Sequence, residues 1–217
     1  MPSSRHVVLF HNPQSRSAGV RILLEELNAD HELHVLNLST NDQRKPEYLA
    51  INPMGKVPAI KHGDTLVTEQ AAIYMYLAEL YPEAKLSPAV GDPLRGAYLR
   101  WMVFYGSCFE PALVDRALKR DPAPRGTSPY GDYDSVLSAL TQQFAKGPWF
   151  LGETFTALDV LWGTALGWTI GFKLLPELPE FKAYLERFNA RPAVIRAREK
   201  DAELIAKLAA SSGGNSK

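Results

Sequence analysis

Apolar positions change their period several times along the first third of the chain. Val7-Val8-Leu9-Phe10 is an unbroken apolar run, which predicts a strand buried on both faces. Val20, Leu23, Leu24 and Leu27 then recur at i, i+3, i+4 and i+7, one stripe of a helix over roughly 16–28. Leu33, Val35 and the Leu36–Leu38 stretch predict a second strand near 33–38. Pro46 opens a short helix that runs to Ile51. Pro58–Ile60 and Leu66–Val67 flank His62-Gly63-Asp64 and read as two strands of a tight hairpin. Thr68 is expected to cap a helix of about 69–81 that carries Ile73, Leu77 and Leu80. The order is strand, helix, strand, helix, strand, strand, helix (βαβαββα). The first strand–helix–strand unit implies a parallel pair with a right-handed crossover, and the closing hairpin adds antiparallel strands.

The periodicity is helical from there on. Pro82–Pro93 holds three prolines and a glycine and reads as a linker. A long helix over about 94–119 carries Leu94, Tyr98, Trp101, Tyr105, Phe109 and Leu113. A Pro- and Gly-rich loop follows at Asp121–Tyr130, then helices near 131–146, 157–175, 178–190 and 192–208, and a tail over Ser211–Lys217 expected to fray. The α/β segment and the all-α segment set the expected domains: 1–82, a linker at 83–92, and 93–217. Thr156-x-x-Asp159 reads as a capping box, with Asp in place of the usual Glu, at the start of the Ala157–Leu175 helix. That helix is strongly apolar and spaces Gly163, Gly167 and Gly171 four apart, which mimics a membrane packing motif. Asp159 and Lys173 leave its clean apolar stretch too short for a span of about 20 residues, so a buried central helix is expected.

Composition narrows the function by exclusion. The 24 basic and 24 acidic residues cancel, so no electrostatic footprint for nucleic acid or an acidic membrane is expected. One cysteine rules out an internal disulfide framework and suits a reducing cytoplasm. The apolar run after Met1–His6 is too short for the core of a signal peptide. His31 and His34 lie three apart on a strand and so on opposite faces, which does not make a metal site. No Gly-rich phosphate loop occurs.

Asn52-Pro53-x-Gly55-Lys56-Val57-Pro58-Ala59, followed by Thr68-Glu69-Gln70-Ala71-Ala72-Ile73, resembles the glutathione-binding half of the glutathione S-transferase family, of the bacterial, theta-, zeta- or beta-like cytosolic type. The resemblance implies a thioredoxin-like N-terminal domain followed by an all-helical domain, a homodimer, and one glutathione site per subunit between the domains. It also implies that Pro58 is cis and that the backbone of Val57 pairs with the cysteinyl unit of glutathione, the co-substrate. It assigns the γ-glutamyl end to Glu69 and Gln70, where relatives carry Ser or Thr in place of Gln70.

The residues fit that chemistry. Glu69 can take the ammonium, and N–H groups at a helix start can hold a carboxylate. Lys56, Gln43 or Arg44 can meet the glycyl carboxylate. Thiol activation falls to the loop Asn12-Pro13-Gln14-Ser15-Arg16-Ser17, which resembles the Ser- or Cys-bearing loop of the family. No cysteine precedes Cys108 and no tyrosine lies between Arg5 and Leu27, so the Cys- and Tyr-type activators are absent. Ser15 is expected to donate a hydrogen bond to the thiolate, with Ser17 and then Asn12 as alternatives. Arg16 can add positive potential there. Trp101, Tyr105, Cys108, Phe109 and also Trp168 are candidates for an apolar electrophile pocket, against the plainer reading that they are helix-packing core. The expected activity is conjugation of the glutathione thiolate to a hydrophobic electrophile, without a metal. A glutathione-dependent reductase, isomerase or lyase, and a non-catalytic interaction module of the same fold, are the competing readings.

Overall fold

A computed structural model describes residues 4–120 and 123–213, with side chains to 210. The first two positions of the expected Asp121–Tyr130 loop lie outside these, as does the tail beyond 213. By contact the chain divides into two units. One runs to Ala84 and takes up the segment from Arg191 onward; the other is Lys85–Ala190. The last helix, expected within the helical domain, therefore groups with the sheet.

In the first unit, β1 (Val7–His11) lies in the middle of a four-stranded sheet. It pairs parallel with β2 (His31–Val35) and antiparallel with β3 (Ala59–His62), and β3 continues antiparallel into β4 (Thr65–Val67). Strand β2 starts two residues earlier than its apolar pattern predicts and ends before Leu36. The pairing continues one residue further through Leu36 N–H to the His11 carbonyl at 2.9 Å. Gly63 and Asp64 form the hairpin loop, with Gly63 at φ +56°, which a residue without Cβ adopts cheaply. Helices α1 (Ser17–Glu26) and α3 (Gln70–Leu80) complete the core with Val7, Leu9, Val20, Leu23, Leu24, Ile60, Ile73 and Leu77, all fully buried. The alternate residues Phe10 and Ala59 pack with Leu36 and with Tyr48 of α2 (Pro46–Leu49), as the period-2 pleat requires.

The final helix of this unit, α9 (Pro192–Gly213), packs on α1. Arg191, just before it, grips Glu26 with two parallel hydrogen bonds of 2.6 and 2.7 Å. Glu25 pairs with Arg196 and Lys200. Those cations hold the Glu25 carboxyl below its usual range, although its partial burial acts the other way.

The second unit is helical. The single helix expected over 94–119 is three segments: α4 (Arg95–Phe104), one π-helical stretch at Tyr105–Phe109, and α5 (Glu110–Ala117). Pro111 explains the break. It has no N–H for an i−4 bond, and its ring crowds the preceding turn. The remaining helices are α6 (Tyr133–Phe144), α7 (Ala157–Gly171) and α8 (Pro179–Asn189). Trp162 of α7 stacks on Phe150 at 5.1 Å and meets the edges of Phe109 and Tyr105 at 4.9 and 5.6 Å.

The buried Asp159 organises the start of α7. Its carboxylate accepts from Phe150 N–H, Thr156 N–H, Thr156 Oγ and Tyr184 Oη at 2.6–3.1 Å. Burial pushes this carboxyl upward, and the four donors oppose that shift. Of the three spaced glycines only Gly163 permits a close approach. A Cβ there would sit 2.5 Å from the Phe188 ring, whereas nothing lies within 4 Å of one at Gly167 or Gly171. Among the described residues no helix is long and apolar enough to cross a membrane.

Two stability outcomes follow from this packing. Asp159→Ala strands four buried donor groups and should cost about 3 kcal/mol or more in a urea titration; a loss under about 1 kcal/mol would contradict the assigned role. Gly163→Ala should cost about 1–3 kcal/mol through overpacking against Phe188, while Gly167→Ala should be neutral or slightly stabilising.

Candidate functional site

The site lies where β1 ends and β3 begins. Phe10 stands opposite Ala59, so the loop that leaves His11 runs beside Val57 and Pro58. The Val57–Pro58 peptide is cis. The Val57 N–H and C=O have no partner among the described residues, so they offer a strand-like donor and acceptor to an extended ligand.

The approach to Val57 is held from behind. The Lys56 carbonyl accepts from Tyr48 Oη at 2.6 Å and Asn52 Nδ2 at 2.9 Å. Burial pushes the Tyr48 phenol up to about 12, so it stays a donor. Asn52 Oδ1 also takes Met54 N–H at 3.1 Å, which closes the Asn52–Gly55 turn. Gly55 sits at φ +59°, and a Cβ there would lie 2.8 Å from the Gln43 carbonyl and 3.1 Å from an Arg44 nitrogen. The structure thus gathers Gln43, Arg44 and the exposed Lys56 at one end of the Val57 edge. Gln43 Oε1 is buried there without a partner.

At the other end stands the start of α3. Glu69, not Thr68, occupies the N-cap position, because its carbonyl accepts the first helical bond from Ile73 N–H at 2.9 Å. Its backbone lies at φ +65°, ψ +117°, outside the left-handed island that non-glycine residues tolerate. Such a conformation costs on the order of 1–3 kcal/mol and collects at ligand sites. The Glu69 side chain is exposed and makes no ion pair among the described residues. Gln70 Nε2 donates to the Arg16 carbonyl at 3.4 Å, which ties α3 to the first loop, and leaves its buried Oε1 unpartnered.

The first loop separates its three candidate groups. Asn12 is buried and structural: Nδ2 donates to the Leu36 carbonyl at 2.8 Å, and Oδ1 accepts from Gln14 N–H at 2.9 Å. Ser17 is fully buried, with Oγ within 2.9 Å of Asn12 N, Asn12 O, His11 Nδ1 and Ser15 Oγ. Ser15 alone keeps surface, and its Oγ reaches the Asn12 carbonyl and Ser17 Oγ at 2.8 Å. The N-cap residue Arg16 makes no side-chain cap, but Ser15 Oγ accepts the first-turn N–H of Ser17 at 3.1 Å.

The electrophile candidates divide differently. Trp101, Tyr105 and Phe109 are 2%, 2% and 0% exposed, held in the aromatic core around Trp162, so packing accounts for them. Cys108, on the π-helical stretch, and Trp168, on α7, retain surface. Sequence reasoning did not single out Tyr48, His11, Arg21 or Asp201. The side chain of Asp201 reaches His11 and Arg21 across some 190 and 180 positions of sequence, a distance that no local pattern reveals.

Comparison with known proteins fits this geometry. The family profile "Glutathione S-transferase, N-terminal domain" matches residues 5–79, and "Glutathione S-transferase, C-terminal domain" matches 130–187. A solved glutathione transferase from Methylococcus capsulatus is 31% identical, with 90% of this chain and 98% of that chain covered and a TM-score of 0.76. A sphingomonad glutathione S-transferase, solved in complex with glutathione, is 30% identical over 90% of this chain and 98% of its own, with a TM-score of 0.73. The disulfide-bond oxidoreductase YfcG of Escherichia coli K12 is 28% identical over 203 residues, 87% of this chain and 93% of that protein. These relatives are named both as transferases and as a disulfide-bond oxidoreductase, and by its two matched domains and these likenesses the chain belongs to the glutathione S-transferase family.

Proposed function

We propose that this family member is a glutathione transferase, joining the glutathione thiolate to a hydrophobic electrophile. One observation carries the reading: the half-buried Ser15 hydroxyl lies in the loop beside the unpaired Val57 backbone. A cysteinyl unit paired with Val57 N–H and C=O directs its thiol toward that loop. Glu69 takes the γ-glutamyl ammonium, assisted by the unpartnered Gln70 Oε1. Gln43, Arg44 and Lys56 take the glycyl carboxylate.

Glutathione brings its own nucleophile, so the protein contributes binding, orientation and stabilisation of the thiolate. A free thiol titrates near about 8.5, and a hydroxyl donating to the sulfur favours the charged form. A hydrogen bond to a charged group contributes about 1.5–3 kcal/mol, or roughly 1–2 pH units of thiol acidity. Stabilising the anion lowers the thiol pKa, so thiolate gained at neutral pH is lost as pH falls through the lowered value. Of the electrophile candidates, Cys108 and Trp168 keep surface. A homodimer belongs to this reading and is supported by the exposed apolar side chains Leu99, Val103, Val114 and Leu118.

A reductase reading draws its support from the likeness to YfcG. The two differ in product: a thioether conjugate in one, oxidised glutathione in the other.

Glutathione should bind with a stoichiometry of one per chain in calorimetry, and a chlorodinitrobenzene-type electrophile should be conjugated. An absence of binding at millimolar glutathione would overturn the reading. Ser15→Ala should raise the pKa of the bound thiol by about 1–2 units in an ultraviolet thiolate titration while affinity changes little. Glu69→Gln should do the reverse, weakening glutathione binding about tenfold or more with the bound-thiol pKa unchanged.

A further inference from the structure

Three buried polar groups have no part in the function proposed above. His11, at the end of β1, is 0% exposed. Its Nδ1 lies 2.9 Å from Ser17 Oγ and its Nε2 lies 3.0 Å from Asp201 Oδ1. Arg21 of α1 donates through Nη1 to the same Asp201 oxygen. Ser17 Oγ in turn lies 2.8 Å from Ser15 Oγ. The result is a continuous chain of hydrogen-bonding atoms from a carboxylate on α9, through an imidazole and one buried hydroxyl, to the hydroxyl that keeps surface. The charged groups facing the imidazole are Asp201 from α9 and Arg21 from α1.

For a neutral His11 ring, counting hydrogens gives this chain one continuous direction. A carboxylate only accepts, so the His11 hydrogen sits on Nε2. Nδ1 of the neutral ring is then an acceptor, and Ser17 donates to it. The Ser17 oxygen keeps two lone pairs. One takes Asn12 N–H at 2.9 Å, and the other faces the Ser15 hydroxyl. The Asn12 carbonyl, 2.8 and 2.9 Å from the two hydroxyls, is the alternative acceptor for each hydrogen, so the relay runs when both hydroxyls turn from it toward Ser17 and His11. Ser15 Oγ accepts the Ser17 N–H at 3.1 Å and is left with one lone pair for the ligand side.

We propose that His11 stores the proton of the glutathione thiol, delivered through Ser15 and Ser17. This inference rests on the reading that Ser15 meets the sulfur. The S–H bond breaks and its electron pair stays on sulfur. The hydrogen bonds to Ser15 Oγ, the Ser15 hydrogen passes to Ser17 Oγ, and the Ser17 hydrogen passes to His11 Nδ1. Both hydroxyls end neutral and reversed, so Ser15 now donates to the thiolate. The imidazolium lies between Ser17 and Asp201. Asp201 stabilises that cation as the acid of a Ser–His–Asp triad does, and Arg21 orients the carboxylate. His11 and Asp201 are positioning residues, since neither touches the ligand. Thiol activation is thereby linked to the docking of α9 on α1.

The test counts protons. Glutathione is titrated into the full-length protein near pH 7 by calorimetry in buffers of differing ionisation enthalpy, with S-methylglutathione as the reference that lacks a thiol. Thiolate is measured in parallel by ultraviolet absorbance. Storage on His11 predicts less than about half a proton released per thiolate formed. His11→Gln and Asp201→Asn should each form less thiolate and release close to one proton for each that remains. Release of a full proton per thiolate by the unaltered protein overturns the proposal, as do wild-type proton counts in both variants. Should His11→Gln fail to fold, Asp201→Asn decides. Ser15→Ala separates the two readings: unchanged thiolate absorbance removes Ser15 itself, whereas loss of thiolate together with full proton release from the unaltered protein removes only the storage step.

Discussion

The antiparallel pairing of Phe10 with Ala59 determines where chemistry can occur in this protein. It sets the end of the central strand against the start of the third, so the Asn12–Ser17 loop and the Val57 edge become neighbours although some forty residues separate them. A one-residue slip of that register would turn Leu9 and Ile60 out of the core, which burial forbids. The same hydrophobic constraint that folds the sheet therefore also assembles the site. Around it, Tyr48 and Asn52 hold the Lys56 carbonyl, and the strained Glu69 backbone turns the start of α3 outward.

Binding and activation rest on different kinds of structure. The proposed binding edge is backbone plus surface charge: Val57, Glu69, Lys56 and the Gln43–Arg44 turn. The proposed activating loop is a buried polar network in which nearly every hydrogen has an acceptor within reach. Such a network tolerates little change, because each stranded group costs about 1–3 kcal/mol. Its outer end, Ser15, is the only member open to a ligand. Its inner end is anchored by α9, and the Glu25 and Glu26 ion pairs hold that helix in place.

Much of this was legible in the chain. The period changes over Val7–Leu80 gave the βαβαββα order, because each element there has one dominant apolar face. The Asn52–Ile73 motifs mark the proposed binding edge, because a turn, a proline and a helix start each leave a local signature. The π-helical break at Tyr105–Phe109 was missed since Pro111 reads equally as a helix end or an accommodated kink. Trp101, Tyr105 and Phe109 were ambiguous for a physical reason: a ring stripe at helical spacing serves a core and a pocket alike. The partner of His11 was beyond reach, since Asp201 lies on a helix whose docking depends on tertiary packing.

A structure of the glutathione complex decides whether Ser15 meets the thiol. The sulfur is expected within hydrogen-bond distance of Ser15 Oγ, about 3.0–3.5 Å, with the cysteinyl N–H and C=O paired to the backbone of Val57. A sulfur held instead by Arg16, Asn12 or a backbone N–H, with Ser15 still turned to Asn12 and Ser17, would contradict it.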